Sequence, residues 1–144
     1  MAYKNEAAFS RALSEALRKQ GAIVTRIETG GTSQGVPDMF VQTNGGDVWL
    51  ELKNIPNLDD EAIERKGFIK VPWRPGQAAW GYNYWRMHSK KKFTLTVVAG
   101  KNKFYVIKMD CLYLKNEAPI SCMLSCWCMP SLVDEIGKIA GGVA

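Results

Sequence analysis

The chain has 144 residues, of which 47% are hydrophobic and 23% charged, and its formal net charge is +5. This length predicts a single globular domain that buries roughly two thirds of its unfolded surface. No run of 18 apolar residues occurs, and the N-terminal segment carries Lys4, Glu6 and Arg11 where a signal sequence would be apolar. We therefore expect a soluble, cytoplasmic protein with no membrane partner, with a phage or mobile-element source left open.

The first predicted elements are a helix and a strand. Phe9, Leu13 and Leu17 recur at helical spacing, and Gly21 is a suitable helix stop. Residues 22–28 are rich in β-branched side chains and predict a strand.

A β-hairpin follows, with its turn at the Asn-Gly-Gly-Asp run of residues 44–47. If the turn has four residues, Asp38 lies opposite Lys53. By the same register, Phe40 lies opposite Glu51 and Gln42 opposite Trp49. Side chains alternate between the two faces of a strand. One face then carries the two acids and the lysine, and the other carries the apolar residues Met39, Val41, Val48, Leu50 and Leu52.

Asp38 and Glu51 become diagonal neighbours in this register, with backbones roughly 7–8 Å apart. Two carboxylates at that spacing can bind one divalent cation. The alternative is that both acids are ordinary exposed strand-end charges, and a bulge in either strand would separate them. The hairpin thus predicts a metal site that depends on its register.

The remaining elements are predicted from breaks and periodicity. Residues 54–72 contain two prolines and no clear period, and predict a loop. Pro75 is placed to open a helix that runs to about His88. Residues 94–99 and 103–107 predict a second hairpin. In the irregular tail, Ser131 is placed to cap a helix over residues 132–139. The order α-β-β-β-α-β-β predicts an α/β fold with a central mixed sheet flanked by helices.

Basic residues are concentrated between residues 61 and 110, which hold 11 basic and 3 acidic side chains. Aromatic residues are interleaved with them. Such a block is typical of nucleic-acid binding, because cations neutralise phosphates, although a solvated lysine face is the alternative for residues 90–92. The candidate DNA-binding residues of the block are Arg65, Lys66, Lys70, Arg74, Arg86, Lys90, Lys91 and Lys92.

The four cysteines, at positions 111, 122, 126 and 128, lack the paired CxxC spacing of zinc ribbons. We expect reduced thiols packed among apolar neighbours.

The string Pro37-Asp38, followed after twelve residues by Glu51-Leu52-Lys53, resembles the motif of the PD-(D/E)XK nucleases. The order of the flanking features is similar to that of VRR-NUC domains and archaeal Holliday-junction resolvases: an acidic helix residue (Glu6), the glycine-rich loop 30–35, the hairpin, and Gln77 in a later helix. The resemblance covers about residues 3 to 108. It implies a restriction-endonuclease-like core at 1–108 and an extension at 109–144 that packs on the core or forms a dimer interface.

The resemblance implies a catalytic set of Asp38, Glu51, Lys53, Gln77 and Glu6. Mg²⁺, for which Mn²⁺ can substitute, would be held by Asp38, Glu51 and the Leu52 main-chain carbonyl, with Glu6 as a further candidate ligand. Ser33 in the glycine-rich loop joins the DNA-binding residues. Lys53 is expected to orient the attacking water and stabilise charge. Gln77 is expected to hold that water or the phosphate, with a solvent-facing helix position as the alternative.

These expectations describe a metal-dependent endodeoxyribonuclease that is structure-selective for branched DNA and acts as a homodimer. One alternative is a sequence-specific homing or restriction-like endonuclease on the same fold, which would read bases with residues 54–72 and the tail. The other is a non-catalytic nucleic-acid-binding module. Such a module has no use for acids beside phosphates.

Overall fold

The structure, a computed structural model, describes residues 3–27 and 35–142, which contain four α-helices, eight strands and two single-turn 3-10 helices at Leu114–Asn116 and Ile120–Cys122. The helices are α1 (Glu6–Lys19), α2 (Asp60–Lys66), α3 (Gln77–Met87) and α4 (Met129–Ala140). The strands are β1 (Ile23–Arg26), β2 (Met39–Thr43), β3 (Gly46–Asn54), β4 (Phe68–Lys70), β5 (Thr94–Ala99), β6 (Phe104–Lys108), β7 (Glu117–Pro119) and β8 (Met123–Cys126).

Six of the strands form the central sheet, in the order β1-β2-β3-β5-β6-β8. Strands β3 and β5 are parallel, and every other neighbouring pair is antiparallel. Strands β4 and β7 form a separate two-stranded sheet. The predicted α/β fold with a central mixed sheet flanked by helices is confirmed.

The two faces of the central sheet pack against different elements. Leu50 and Leu52 of β3 point to one face, where they join a core with apolar residues of α1 and α4. Val98 of β5 and Ile107 of β6 point to the other face, where they pack with residues from α2, β4 and β7. Alternate residues of a strand therefore serve two cores, which explains why all six residues of β5 are buried.

Helix α1 forms as its sequence predicts. The Asn5 side chain caps it by accepting a hydrogen bond from the Ala8 amide at 2.8 Å. Phe9, Leu13 and Leu17 make the buried face. No helix within the two described ranges is long and apolar enough to cross a membrane.

The predicted loop over residues 54–72 is wrong, because this segment contains α2 and β4. Asp59 caps α2 by accepting hydrogen bonds from two backbone amides, and Gly67 ends it in a left-handed conformation with φ 84°. Only Ile63 of this seven-residue helix is buried. One buried residue gives no helical period to read, so tertiary packing rather than periodicity reveals the helix.

The predicted start of the next helix at Pro75 is also wrong. Gly76 has φ 88°, a left-handed conformation that cannot belong to a right-handed helix, and α3 begins at Gln77. Close packing positions α3 on the sheet. An added Cβ on Gly81 would lie 2.7 Å from the Met109 Cβ, so only glycine allows this approach.

The tail is more regular than predicted. Strand β8 extends the central sheet beyond β6, and β7 pairs with β4. Helix α4 begins at Met129 with Cys128 as its N-cap, three residues before the predicted start at residue 132. Pro130 allows this earlier start, because proline fits the first helical turn, where its missing N–H is not needed.

The hairpin register differs from the predicted one by two residues. Phe40 lies opposite Trp49 rather than Glu51, and Gln42 lies opposite Asp47 rather than Trp49. Thr43 pairs with Gly46, so the turn holds only two residues, Asn44 and Gly45, which is the connection that an Asn-Gly pair favours. A shift of two residues keeps every side chain on its predicted face.

Candidate active site

The β2–β3 hairpin brings the two predicted acids side by side. Met39 pairs with Leu50, so Asp38, one residue before Met39, lies beside Glu51, one residue after Leu50. The Leu52 amide donates a hydrogen bond to Asp38 Oδ2 at 2.7 Å, which fixes the carboxylate at the end of the strand. The observed register thus makes these acids direct neighbours across the strands instead of diagonal ones.

Glu51 and Lys53 are both buried, each with 4% of its surface exposed. The Lys53 Nζ lies 3.6 Å from Glu51 Oε2. That same oxygen accepts a hydrogen bond from Gln77 Nε2 at 3.0 Å. The other oxygen, Glu51 Oε1, is buried and has no hydrogen-bond partner. A buried carboxylate normally has both oxygens satisfied, so Oε1 is a free acceptor within the site.

Gln77 contacts Glu51 because both ends of its amide have defined partners. Its Oε1 accepts a hydrogen bond from the Arg74 amide at 2.8 Å, so its NH₂ group is directed at Glu51. The start of α3 is held close to the loop before β2, since an added Cβ on Gly35 would lie 2.3 Å from the Gly76 carbonyl oxygen. Gln77 is buried, in contrast to the solvent-facing alternative.

A cleft of about 320 Å³ opens beside Asp38. Glu6 and Ser10 of α1, Arg26 of β1 and Leu52 also line it. The Leu52 side chain is buried in the core, so its backbone is the part that faces the cleft. Sequence reasoning missed Arg26 and Ser10. Arg26 lies at the site because it pairs with Met39, the residue next to Asp38. This position can be inferred only when the pairing of β1 with β2 is known.

Burial raises the pKa of Glu51 to about 8. The charge of Asp38 raises the pKa further, Lys53 lowers it, and Glu6 adds a smaller increase. Two acids this close do not both ionise easily, because like charges repel strongly in a buried site. Lys53 therefore neutralises only part of the negative charge that the two carboxylates carry when both are ionised.

This pKa makes stability depend on pH in a defined direction. In chelator, the free energy of unfolding should fall as pH rises from about 4.5 to about 8, because in that range the folded chain keeps Glu51 protonated while the unfolded chain ionises it, so folding has to take up a proton. The slope contributed by Glu51 is at most about 1.4 kcal/mol per pH unit. Urea unfolding at several pH values, for wild type and Glu51→Gln, measures the effect. Parallel pH profiles for the two proteins would contradict the assignment.

The predicted DNA-binding residues that the structure describes are all exposed. Arg65 and Lys66 lie in the last turn of α2, and Arg86 lies in that of α3. Lys92 forms an ion pair with Asp47 at 3.2 Å. Ser33 lies outside the described residues. Trp73, one of the aromatics in the basic block, is buried in the core and donates a hydrogen bond to Thr96 at 2.9 Å.

The residues at this site suit a small, hard cation with few protein ligands. In the described part of the chain, no three His, Cys, Asp or Glu side chains come together as a metal-binding group, so Glu6 lines the cleft without joining a three-carboxylate cluster. Mg²⁺ commonly binds through one or two carboxylates and retains several waters. Asp38, the unpartnered Glu51 Oε1 and the raised pKa of Glu51 all fit such a cation.

Comparison with known proteins supports the fold. No protein-family model matches the chain, and no curated protein matches it. Its structure is similar to that of Hjc, a Holliday junction resolvase from the archaeal hyperthermophile Archaeoglobus fulgidus, with a TM-score of 0.56 and 16% sequence identity. The match covers 91% of this chain and 98% of Hjc. At this identity the likeness concerns the fold alone, and the link to VRR-NUC domains stays a prediction.

Proposed function

We propose that this protein is a metal-dependent endonuclease that hydrolyses phosphodiester bonds in branched DNA. The observation that carries the proposal is the half-buried Asp38 beside the buried Glu51, with a free acceptor at Glu51 Oε1 and the Lys53 Nζ at 3.6 Å from Oε2. A protein that only binds DNA gains nothing from placing two acids where a phosphate must approach. The resolvase-like fold supports the same conclusion.

Asp38, Glu51 and the Leu52 main-chain carbonyl are the groups that would hold Mg²⁺ or Mn²⁺. When bound, the cation neutralises the scissile phosphate and lowers the pKa of a water. Asp38 is oriented for this role by the Leu52 amide, and Glu51 by Gln77. Glu6 and Arg26 line the cleft through which a phosphate would reach the acids.

Lys53 and Gln77 have different roles at the proposed site. Lys53 Nζ is a buried cation that can orient the attacking water and stabilise negative charge that develops on the phosphate. The Gln77 amide is already committed to Glu51 and the Arg74 backbone. We therefore assign Gln77 to positioning Glu51, in place of the expected contact with water or phosphate.

Selectivity for DNA structure is favoured over recognition of a base sequence, because the segments that could contact bases are occupied by helices and strands. Residues 54–72 and the tail were the segments available for contacting bases. The structure places α2 and β4 in the first and β7, β8 and α4 in the second. Segments that complete the sheets and the cores have little freedom to enter a DNA groove.

The decisive experiment is cleavage of labelled four-way junctions, flaps, nicked duplexes and linear duplexes with Mg²⁺ or Mn²⁺. We expect cleavage near the branch point and little cleavage of the linear duplex. Efficient cutting of a linear duplex at one sequence would favour a restriction-like enzyme. Binding without cleavage of any substrate would favour the non-catalytic module.

A separate prediction concerns the lysines after α3. Replacing Lys90, Lys91 and Lys92 with alanine should weaken DNA binding on all sequences. It should also reduce the slope of log affinity against log salt by up to about 0.9 for each phosphate that the variant no longer neutralises. Lys92 should contribute least, because Asp47 already pairs with it. Binding titrations at several salt concentrations test this, and an unchanged slope would show that these lysines face away from DNA.

We also propose a homodimer, because cutting two strands of a symmetric junction calls for two sites related by a two-fold axis. The extension 109–144 is the proposed interface. Most of the large apolar side chains that are exposed in the described part of the chain lie between residues 112 and 127: Leu112, Leu114, Ile120, Leu124 and Trp127. Analytical ultracentrifugation of wild type and Leu124→Glu would test this interface.

A further inference from the structure

Three aromatic rings on α3 and at its end form a stacked column. Trp80, Tyr84 and His88 are spaced four residues apart, which places them on one side of the helix. The Trp80 and Tyr84 ring centroids are 5.4 Å apart with an interplanar angle of 10°. The Tyr84 and His88 centroids are 4.1 Å apart with an angle of 28°. The rings thus lie nearly parallel along the helix axis.

The inner end of the column contacts the candidate active site. Trp80 is three residues after Gln77, and its ring meets Trp49 edge to face at 5.5 Å. Trp49 is two residues before Glu51 on the same face of β3. Phe40 completes this end, with its ring 4.7 Å from that of Trp49. The aromatic row therefore starts beside the two carboxylates.

The outer end of the column is exposed and held in place. His88 Nδ1 lies 2.8 Å from the Tyr84 carbonyl oxygen, to which it donates in the tautomer that carries the proton there. The next two residues, Ser89 and Lys90, both have left-handed conformations, with φ values of 57° and 60°. This conformation is strained for residues other than glycine and persists where the surroundings enforce it. The strained turn places a run of three exposed lysines directly after the last ring.

Packing of the helix explains only the inner rings. Phe40, Trp49 and Trp80 hold α3 against the sheet, as partly buried aromatics commonly do. The exposed His88 ring covers no core residue. A flat ring with a fixed orientation, followed in the chain by three exposed lysines, matches what a nucleotide offers: a base with a π-face and a charged phosphate.

The geometry points to a stacking site for an unpaired nucleobase at the outer end of this column, on the His88 ring that Tyr84 supports from behind, with phosphates near the exposed lysines that follow. This inference rests on the proposed function and specifies its substrate as branched DNA with unpaired bases near the branch. Bases within a duplex already stack on one another, so only an unpaired base is free to stack on the column. Eleven residues separate Gln77 from His88, which is about 16 Å along the helix. The base would then lie within roughly five base steps of the cleaved bond.

The test is DNA binding in chelator, so that no cleavage occurs. Fluorescence anisotropy compares a linear duplex, a fully paired four-way junction and the same junction with a short run of unpaired thymines at the branch. His88→Ala and Tyr84→Leu should bind the unpaired substrate at least about fivefold more weakly, with duplex affinity unchanged. Tyr84→Phe retains the ring and should bind like wild type. Met87→Ala, which removes a neighbouring side chain that is 82% exposed, is the matched control.

Two outcomes overturn the inference: wild-type affinity of both ring variants for the unpaired substrate, or an equal loss on the duplex. If Tyr84→Leu fails to fold, the surface variant His88→Ala decides alone. Quenching of 2-aminopurine in the unpaired run gives a direct reading of stacking, which His88→Ala should reduce. The proposed function has its own contradicting result. If the ring variants weaken binding as expected but wild type cuts no branched DNA in Mg²⁺, the stacking site stands and the nuclease proposal does not.

Discussion

Asp38→Asn and Glu51→Gln should each reduce the cleavage rate by at least about a thousandfold and leave DNA binding intact or tighter. A bound cation supplies several kcal/mol of charge stabilisation, and each 1.36 kcal/mol corresponds to a tenfold change in rate. Removing a carboxylate also removes its repulsion of the phosphate, which is why binding should not weaken. Glu51→Gln preserves the side-chain shape and leaves an oxygen that can accept the hydrogen bond from Gln77.

Single-turnover cleavage of a labelled junction measures the rate, and anisotropy in chelator measures binding. Glu15→Gln, which removes an exposed carboxylate from α1, is the matched control and should cut like wild type. Thermal melts should show that both site variants are folded. Wild-type cleavage by either variant would disprove the metal-site assignment.

Lys53→Met should lose about a hundredfold or more in rate and bind Mg²⁺ at least as well as wild type. Methionine retains much of the buried aliphatic stem and removes only the charge. Losing one stabilising group in the transition state typically costs about 10²–10³ in rate. A cation beside a metal repels it, so its removal should favour metal binding.

The alternative role for Lys53 is that of a structural counter-ion for Asp38 and Glu51. In that case the variant should be markedly less stable in chelator, and Mg²⁺ should restore its stability by binding the folded state. Melts with and without Mg²⁺, together with single-turnover rates, separate the two roles. Normal cleavage by the variant would exclude both.

The hairpin shows how a sequence can determine a site without determining its register. Side chains alternate with a period of two, so the sequence alone placed Asp38, Glu51 and Lys53 on one face and the apolar residues on the other. The turn was predicted to have four residues, and it has two. The observed register is shifted by two residues from the predicted one. This shift keeps each side chain on its predicted face and makes Asp38 and Glu51 direct neighbours instead of diagonal ones.

Short elements with little periodicity were not predictable in the same way. The caps of α2, Asp59 and Gly67, can be recognised in the sequence, but a helix with one buried residue has no apolar period. Strands β7 and β8 have three and four residues, and they exist because β4 and β6 supply partners for their backbones. A strand this short is specified by the sheet it joins, and the sheet is known only from the tertiary structure.

The sequence by itself determined the fold class, the long helix α1, the β5–β6 hairpin and the identity of the clustered acids, because these depend on local periodicity and turn residues. Only the tertiary structure showed that Gln77 bonds to Glu51, that Arg26 lines the cleft and that Glu51 Oε1 has no partner. Contacts between residues 26 positions apart depend on how helix and sheet pack, and side-chain hydrogen bonds require that packing to within a few tenths of an ångström.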